Sequence, residues 1–318
     1  DLFQKEDFEL LGEMLRKILF GKVGKIVLED MIFGLLESAK GKTKCRIYLE
    51  FEKNCNLAIL PWEYTIIKDD KDKSIYLAAN KEKNFDFIRR IDGKGNPGLV
   101  NTNKLNCILI ISSIKNKEDN IPSVGDSEVK AVTDLFNELK KNHSDQFDFQ
   151  VIENPSFENL RKELENAARK FEPIDDNVPP YCIHYLGHSA FDDNGGRIVF
   201  CKEDNNSHWI KDIDFAQVFD SRNLEIDIPV LYVLQSCDSA KLSNYGAGKG
   251  VALSLVNQKI PAVLGMQNEV DVETSTEFMK RFYEALLKGS DVGEAVTIGR
   301  TFLGKGEQDE EGKYINNI

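Results

Sequence analysis

Two positions in this chain could carry nucleophilic chemistry. Cys237 stands where the apolar run PVLYVLQ gives way to Ser236-Cys237-Asp238-Ser239. His188 stands where a second run, YCIHYL, gives way to Gly187-His188-Ser189. A thiol is a weak nucleophile until a nearby imidazole raises its thiolate fraction, and the same imidazole can then protonate a leaving group. A dyad of this kind also needs two donors for a developing oxyanion. The backbone N–H groups of Cys237 and Ser189 are the natural pair. Gly187 would permit close backbone approach beside the histidine. The logic requires no third, acidic member. A cysteine or a histidine at a strand end is most often packing material. On residue types alone, the packing and dyad readings stand level.

Two other features invite chemistry and fit it poorly. His184 precedes His188 by four residues, but on a strand that spacing is about 13 Å, too far to share one metal ion. His184 reads instead as a core group or a support for the site. No metal or cofactor is expected. The glycine-rich NYGAGKG, residues 244–250, has Ser243 and Gly250 where a phosphate-binding loop needs Gly and Ser or Thr. It reads as a mobile loop ahead of the next helix and as a candidate cleft wall.

For His188 and Cys237 to meet, two strands must end side by side, and the rest of the chain supplies such an arrangement. LNCILIISSI is a continuous apolar run suited to a strand buried on both faces. Helical SEVKAVTDLFNELKKN, strand FDFQVIE, helical SFENLRKELENAARKF and strand YCIHYLG follow. After a short GRIVF hairpin come strand PVLYVLQ, helix GVALSLVNQK, strand PAVLGM and the helices VETSTEFMKRFYEALLKG and DVGEAVTIGRTFL. Alternation of this kind predicts an α/β fold, a mostly parallel sheet with helices on both faces. Its ligand site lies beyond the carboxyl ends of the central strands. The histidine and cysteine stand 49 residues apart, room for a hairpin, a loop and one crossover.

Upstream, DFELLGEMLRKILFG and KIVLEDMIFGLLESAKG have helical spacing, KCRIYLEF alternates like a strand, and NLAILPWEYTII gives another broken at Pro61. The Gly- and Asn-rich stretch over 90–104 marks a boundary between a smaller α+β region, 1–104, and a core, 105–318. No repeat of solenoid period is present.

With 41 basic and 53 acidic residues the formal charge is −12, which argues against nonspecific binding to nucleic acid or anionic membrane. The six cysteines show no CxxC spacing, and no apolar run approaches membrane-spanning length, so a reducing cytoplasm is expected. The chain begins with Asp1 where a complete protein would have Met, as expected of a fragment of something longer.

These motifs resemble a known family. YCIHYLGHSAF is similar to the segment of CHAT domains that holds their histidine, and VLYVLQSCDSA to the segment that holds their cysteine. GVALSLVNQKIPAVLGMQNEVDVETSTEFMKRFYEALLKGSDVGEAVTIGR follows the rest of the pattern, and LAILPWEYTII resembles the family's N-terminal LPWE. CHAT domains are caspase-like cysteine peptidases related to separase. The resemblance implies a caspase-like fold, His188 as general acid/base and Cys237 as nucleophile. It puts Asp271 and Glu269 near the pocket for the substrate residue before the cut, where either could pair with Arg or Lys. Asp271 reads equally well as the cap of the helix that follows. Asp238 and Ser239 would line the cleft.

The resemblance further implies an endopeptidase with a protein substrate and a protein activator or regulatory partner. The setting would be bacterial antiphage defence or programmed death, with a gasdermin or a CRISPR-linked partner as target. Ser189 departs from the family's usual glycine and Gln267 from its common tryptophan, and these 318 residues hold no tetratricopeptide repeats of the kind that often accompany the family. A non-catalytic interaction module is the alternative. A small-molecule hydrolase is disfavoured, since no G-x-S-x-G elbow occurs.

Overall fold

Apolar runs rich in β-branched residues become strands where both faces can be covered, and the longest such runs here build one sheet. The computed structural model describes residues 5–20, 34, 45–52, 55–68, 74–79, 85–91, 104–114, 124–192, 195–202, 206–236, 250–266, 270–304, 307–308 and 314–315. In chain order these hold α1 (Lys5–Phe20), β1 (Cys45–Phe51), β2 (Ile66–Lys68), β3 (Ser74–Tyr76), β4 (Phe85–Ile91), β5 (Leu105–Ile111), α2 (Asp126–Asn142), β6 (Phe147–Glu153) and α3 (Leu160–Ala168). Then come β7 (Tyr181–Leu186), β8 (Ser189–Asp192), β9 (Gly195–Cys201), β10 (Ser207–Lys211), α4 (Asp212–Ala216), β11 (Leu231–Gln235), α5 (Val251–Asn257) and β12 (Val263–Gly265). The long helices α6 (Val272–Leu287) and α7 (Val292–Gly304) follow, with short strands β13 (Glu307–Gln308) and β14 (Tyr314–Ile315).

The chain packs as two units. One comprises Asp1–Phe51, Leu60–Arg90 and Glu277–Ile318; the other comprises Glu52–Ile59 and Ile91–Thr276. The boundary stretch expected over 90–104 lies mostly outside the described residues, as does the second N-terminal helix except for Gly34.

The second unit holds a five-stranded sheet in the order β12-β11-β7-β5-β6, with every neighbouring pair parallel. By order of appearance this is 2-1-3-4-5, a doubly wound sheet whose direction switches between β5 and β7. Successive side chains point to opposite faces, so each buried strand serves two cores. Ile108, Ile110, Ile183, Tyr185, Tyr232 and Leu234 pack with Leu160 and Leu164 of α3, Phe215 of α4 and Val251 and Leu255 of α5. On the other face His184 meets the edge of Phe136 from α2, ring centroids 5.3 Å apart. Phe136 also contacts Phe147 and Phe149 of β6. Val132, Leu135, Phe136 and Leu139 of α2 are buried at i, i+3, i+4 and i+7 spacing. Asp126 and Glu128 in its first turn and Lys140 and Lys141 in its last complement the helix dipole.

Between β7 and β11 the chain forms a second, antiparallel sheet, β10-β9-β8. The GRIVF hairpin is the middle of this sheet. Its partners SAFD and SHWIK extend it beyond the expected size.

In the first unit Trp62 is buried and stacks on Phe51. The next residue, Glu63, pairs with Arg89 and, at 4.0 Å, with Arg300 of α7. The two arginines hold the Glu63 carboxyl below its usual range despite burial that pushes the other way. NLAILPWEYTII is not one broken strand. It forms 3-10 turns over Asn56–Ile59 and Trp62–Tyr64, and extends only at β2. Pro61 between the turns has no N–H to give to a ladder. Among the described residues, no helix is long and apolar enough to cross a membrane.

Candidate active site

YCIHYL and LYVLQ are mostly apolar, and every residue of β7 and β11, the polar His184 and Gln235 included, is buried. Their parallel register runs from Leu231 opposite Cys182 to Gln235 opposite Leu186. His188 and Cys237 each follow that last pair by two residues. Neighbouring strands lie about 4.8 Å apart, so the register sets the last residues of the two strands, Leu186 and Gln235, alongside each other at the carboxyl edge of the sheet. The Gly187 N–H donates to the Gln235 carbonyl at 3.4 Å and carries the pairing one step further. Ser236 is buried beside it. Cys237, Asp238, Ser239 and Glu269 lie outside the described residues.

The turn that presents His188 is held from below by Tyr185. Its hydroxyl lies 2.7 Å from the Val199 carbonyl and 3.2 Å from the His188 carbonyl. Ser112, just past β5, donates its hydroxyl to the same Val199 carbonyl at 2.8 Å and its N–H to the Leu186 carbonyl. Burial pushes the Tyr185 pKa well up, so the phenol stays a neutral donor. Gly187 is needed for this arrangement, since a Cβ there would fall 2.3 Å from the Tyr185 hydroxyl oxygen. The sequence suggested close backbone approach at this glycine; what approaches is a side chain.

His188 is half-buried and its Nε2 is enclosed. The Val199 N–H donates to the His188 carbonyl at 3.0 Å. Ser189 opposite Ile198 is therefore the non-hydrogen-bonded kind of antiparallel pair, with the Ser189 N–H directed away from β9.

Beneath the strand ends runs a buried neutral relay. His184 Nε2 lies 3.0 Å from Gln235 Oε1, and Gln235 Nε2 donates to Ser275 Oγ at 3.2 Å. Ser275 donates in turn to the Val272 carbonyl at 3.1 Å. Because the Gln235 amide uses its N–H toward Ser275, its oxygen faces the imidazole, and this network assigns the proton to His184 Nε2. Burial lowers the His184 pKa to about 4, only partly offset by the bond to Gln235. The ring is neutral at pH 7, a structural group four residues before His188. Among the described residues no three His, Cys, Asp or Glu side chains gather as a metal site.

Asp271 caps α6. The Thr274 N–H donates to Asp271 Oδ1 at 2.8 Å and the Ser275 N–H to the Asp271 carbonyl at 3.0 Å. The bond from Thr274 holds the carboxyl below its usual range, so the exposed Asp271 is ionised at neutral pH.

Over residues 16–311, nearly its whole length, the sequence matches the profile of the CHAT domain. The chain belongs to the CHAT-domain family. Its α/β fold, a parallel five-stranded sheet flanked by helices, is the caspase-like fold, and the family is one of caspase-like, peptidase-related domains. No curated protein matches the sequence. Among solved structures this CHAT domain is similar to Raptor of Chaetomium thermophilum, at 11% identity and a TM-score of 0.33. That overlap covers 65% of this chain and 21% of the Raptor chain.

Three residues of the CHAT domain with buried bonds were not singled out from sequence. Gln235 is a polar side chain closing an apolar run, and Tyr185 stands two residues before a glycine. Those are weak signals that were present. Asp212 carried none, since its partners Gly196 and Gly250 are 16 and 38 residues away in the chain.

Proposed function

We propose that this CHAT domain is a cysteine endopeptidase that cleaves a protein substrate through a dyad of His188 and Cys237. The observation that supports the reading best is the β7–β11 register, which pairs Leu186 and Gln235, the residues two before His188 and Cys237, with the His188 turn pinned by Tyr185. The Cys237 thiolate attacks the scissile carbonyl carbon, and the oxyanion is held by the backbone N–H groups of Ser189 and Cys237. The imidazolium of His188 gives its proton to the departing amine. Neutral His188 then takes a proton from water, whose oxygen attacks the thioester and releases Cys237 and the acid product.

The substrate residue before the cut is an Arg or Lys, paired with Asp271 or Glu269, and Asp238 and Ser239 line the cleft. The Asp271 carboxylate spends one lone pair on its cap and keeps others for a guanidinium. The enzyme needs no cofactor or metal and acts in a reducing cytoplasm as a regulated effector in bacterial antiphage defence or programmed death. A protein partner activates it, and a gasdermin or a CRISPR-linked protein is its target.

A peptide bearing a thiol-reactive electrophile after Arg tests this. Labelling should vanish in Cys237→Ala and slow by about a thousandfold in His188→Ala. Asp271→Asn keeps the cap and removes the charge; it should erase any preference for Arg and Lys while leaving the melting temperature in place. Labelling that ignores both dyad substitutions would overturn the peptidase in favour of an interaction module.

A further inference from the structure

The antiparallel sheet that follows His188 has two unlike faces. Ile198 and Phe200 of β9 point into the main core. Arg197, Val199 and Cys201 alternate with them and point the other way. Cross-strand partners share a face. Ala190 of β8, opposite Arg197, therefore belongs to this second face, as do Trp209 and Lys211 of β10, opposite Val199 and Arg197. Ile114, just past β5, packs on its Val199, Cys201 and Trp209 end. His188 continues the register by one step, opposite Val199, whose N–H its carbonyl accepts. Alternation puts His188, Ala190 and Asp192 along one edge of this same face.

Arg197 stands at the centre of the face. It pairs with Asp192 on the neighbouring strand, and its guanidinium carbon lies 5.7 Å from the centroid of the Trp209 ring. Among the described residues Asp192 is the one acceptor the guanidinium meets, through Nη2, and Nε meets none. A guanidinium carries five N–H donors, and this side chain is 40% exposed. It has donors left for a second carboxylate. Exposed Lys211 beside it adds another cation, so the side chains named here hold two cations against one carboxylate. His188 gives its proton to the departing amine, so substrate residues after the cut lie on the His188 side of the scissile bond. Two residues of strand, about 7 Å, separate His188 from the Ala190–Arg197 pair. Resting on the peptidase reading, we propose that Arg197, with Lys211, selects substrates carrying Asp or Glu at the second or third residue after the cut. The substrate carboxylate docks on the open edge of the guanidinium, whose plane Asp192 and Trp209 fix.

Two capped peptides test this: Ala-Gly-Arg-Ser-Glu-Glu-Ala, and the same chain with Gln in place of both Glu. Each is titrated into the Cys237→Ala protein and followed by the fluorescence of Trp209. The other tryptophan, Trp62, is buried in the first unit. At low salt the Glu peptide should bind at least about fivefold tighter, against the repulsion of a chain whose formal charge is −12. Arg197→Gln should bring that ratio to about one, and the exposed change Lys211→Gln should lower it by about twofold. Equal affinities, no measurable binding of either peptide, or a ratio that survives Arg197→Gln overturns the proposal. Cleavage by the wild-type chain separates it from the peptidase reading. If both peptides are cut at equal rates and bind equally, the acid selection falls and the peptidase stands. If the binding ratio holds but neither peptide is cut and Cys237 resists a peptidyl electrophile, the peptidase reading falls. Selection after a cut falls with it, and the face is then a dock for acidic peptides alone.

Discussion

In the unit that contains α1, β1 to β4 and α7, distant segments are tied by ion pairs. Glu63 joins Arg89 and Arg300, and Arg46 joins Asp86 at 2.7 Å and Asp291 at 2.5 Å. In the parallel-sheet unit the bonds of His184 to Gln235 to Ser275, and of Tyr185 and Ser112 to main-chain carbonyls, are uncharged, while ion pairs such as Arg197 with Asp192 and Arg169 with Glu225 sit on more exposed side chains. Among the described residues the Asp212 carboxylate is met by backbone amides. Coulomb attraction falls slowly with distance, so an ion pair tolerates slack and varies with salt. Neutral hydrogen bonds weaken steeply with distance and angle, so they hold positions to a few tenths of an ångström. A reacting thiol and imidazole need that precision, and a stray charge nearby would shift the proton balance between them.

The contrast can be broken at its charged side first. Glu63→Ala leaves two partly buried arginines without their shared carboxylate and should cost about 3 kcal/mol by chemical denaturation. A cost under about 1 kcal/mol would make these pairs incidental. On the neutral side, Gln235→Leu removes the acceptor facing His184 and the donor to Ser275. About 2 kcal/mol of stability should go, and labelling of Cys237 should slow along with it. Stability lost with no change in labelling would show that the relay supports the core and not the site.

The smallest effect is a slope with pH. His184 takes its proton in the folded chain only at about pH 4, against 6.5 unfolded. As pH falls between these values the unfolded chain binds the proton first, so stability is full above about 6.5 and declines below it. From pH 7 to 5.5 the loss should be about 1 kcal/mol. His184→Gln should flatten that slope, and an unchanged slope would assign it to other groups.

Sequence made the frame of the sheet legible because its strands are apolar runs of seven, six and five residues with no competing period. Strand order was not legible, since it depends on pairings between residues tens of positions apart. SAFD and SHWIK were missed because short, half-exposed strands carry little pattern, and the helix DIDFA is barely more than one turn. LPWE and the terminal TIGR were legible only as family text. Their physical content is that Glu63 and Arg300 meet. The position of His188 and the cap at Asp271 were both readable, the latter because a cap and its first turn are adjacent in sequence. The bonds of Asp212 to Gly196 and Gly250 were not, because a carboxylate that meets two remote glycines looks like any other acid.

The parallel pairing of β7 with β11 has a consequence for how this domain can change. The distance between the strand ends that lead to His188 and Cys237 is set by ladder register and not by the 49-residue path joining them. The intervening antiparallel sheet and α4 can therefore gain or lose residues in their turns without moving either end. That crossover is the natural place for relatives to diverge in size, and for an inserted reporter or an added recognition element to be accommodated.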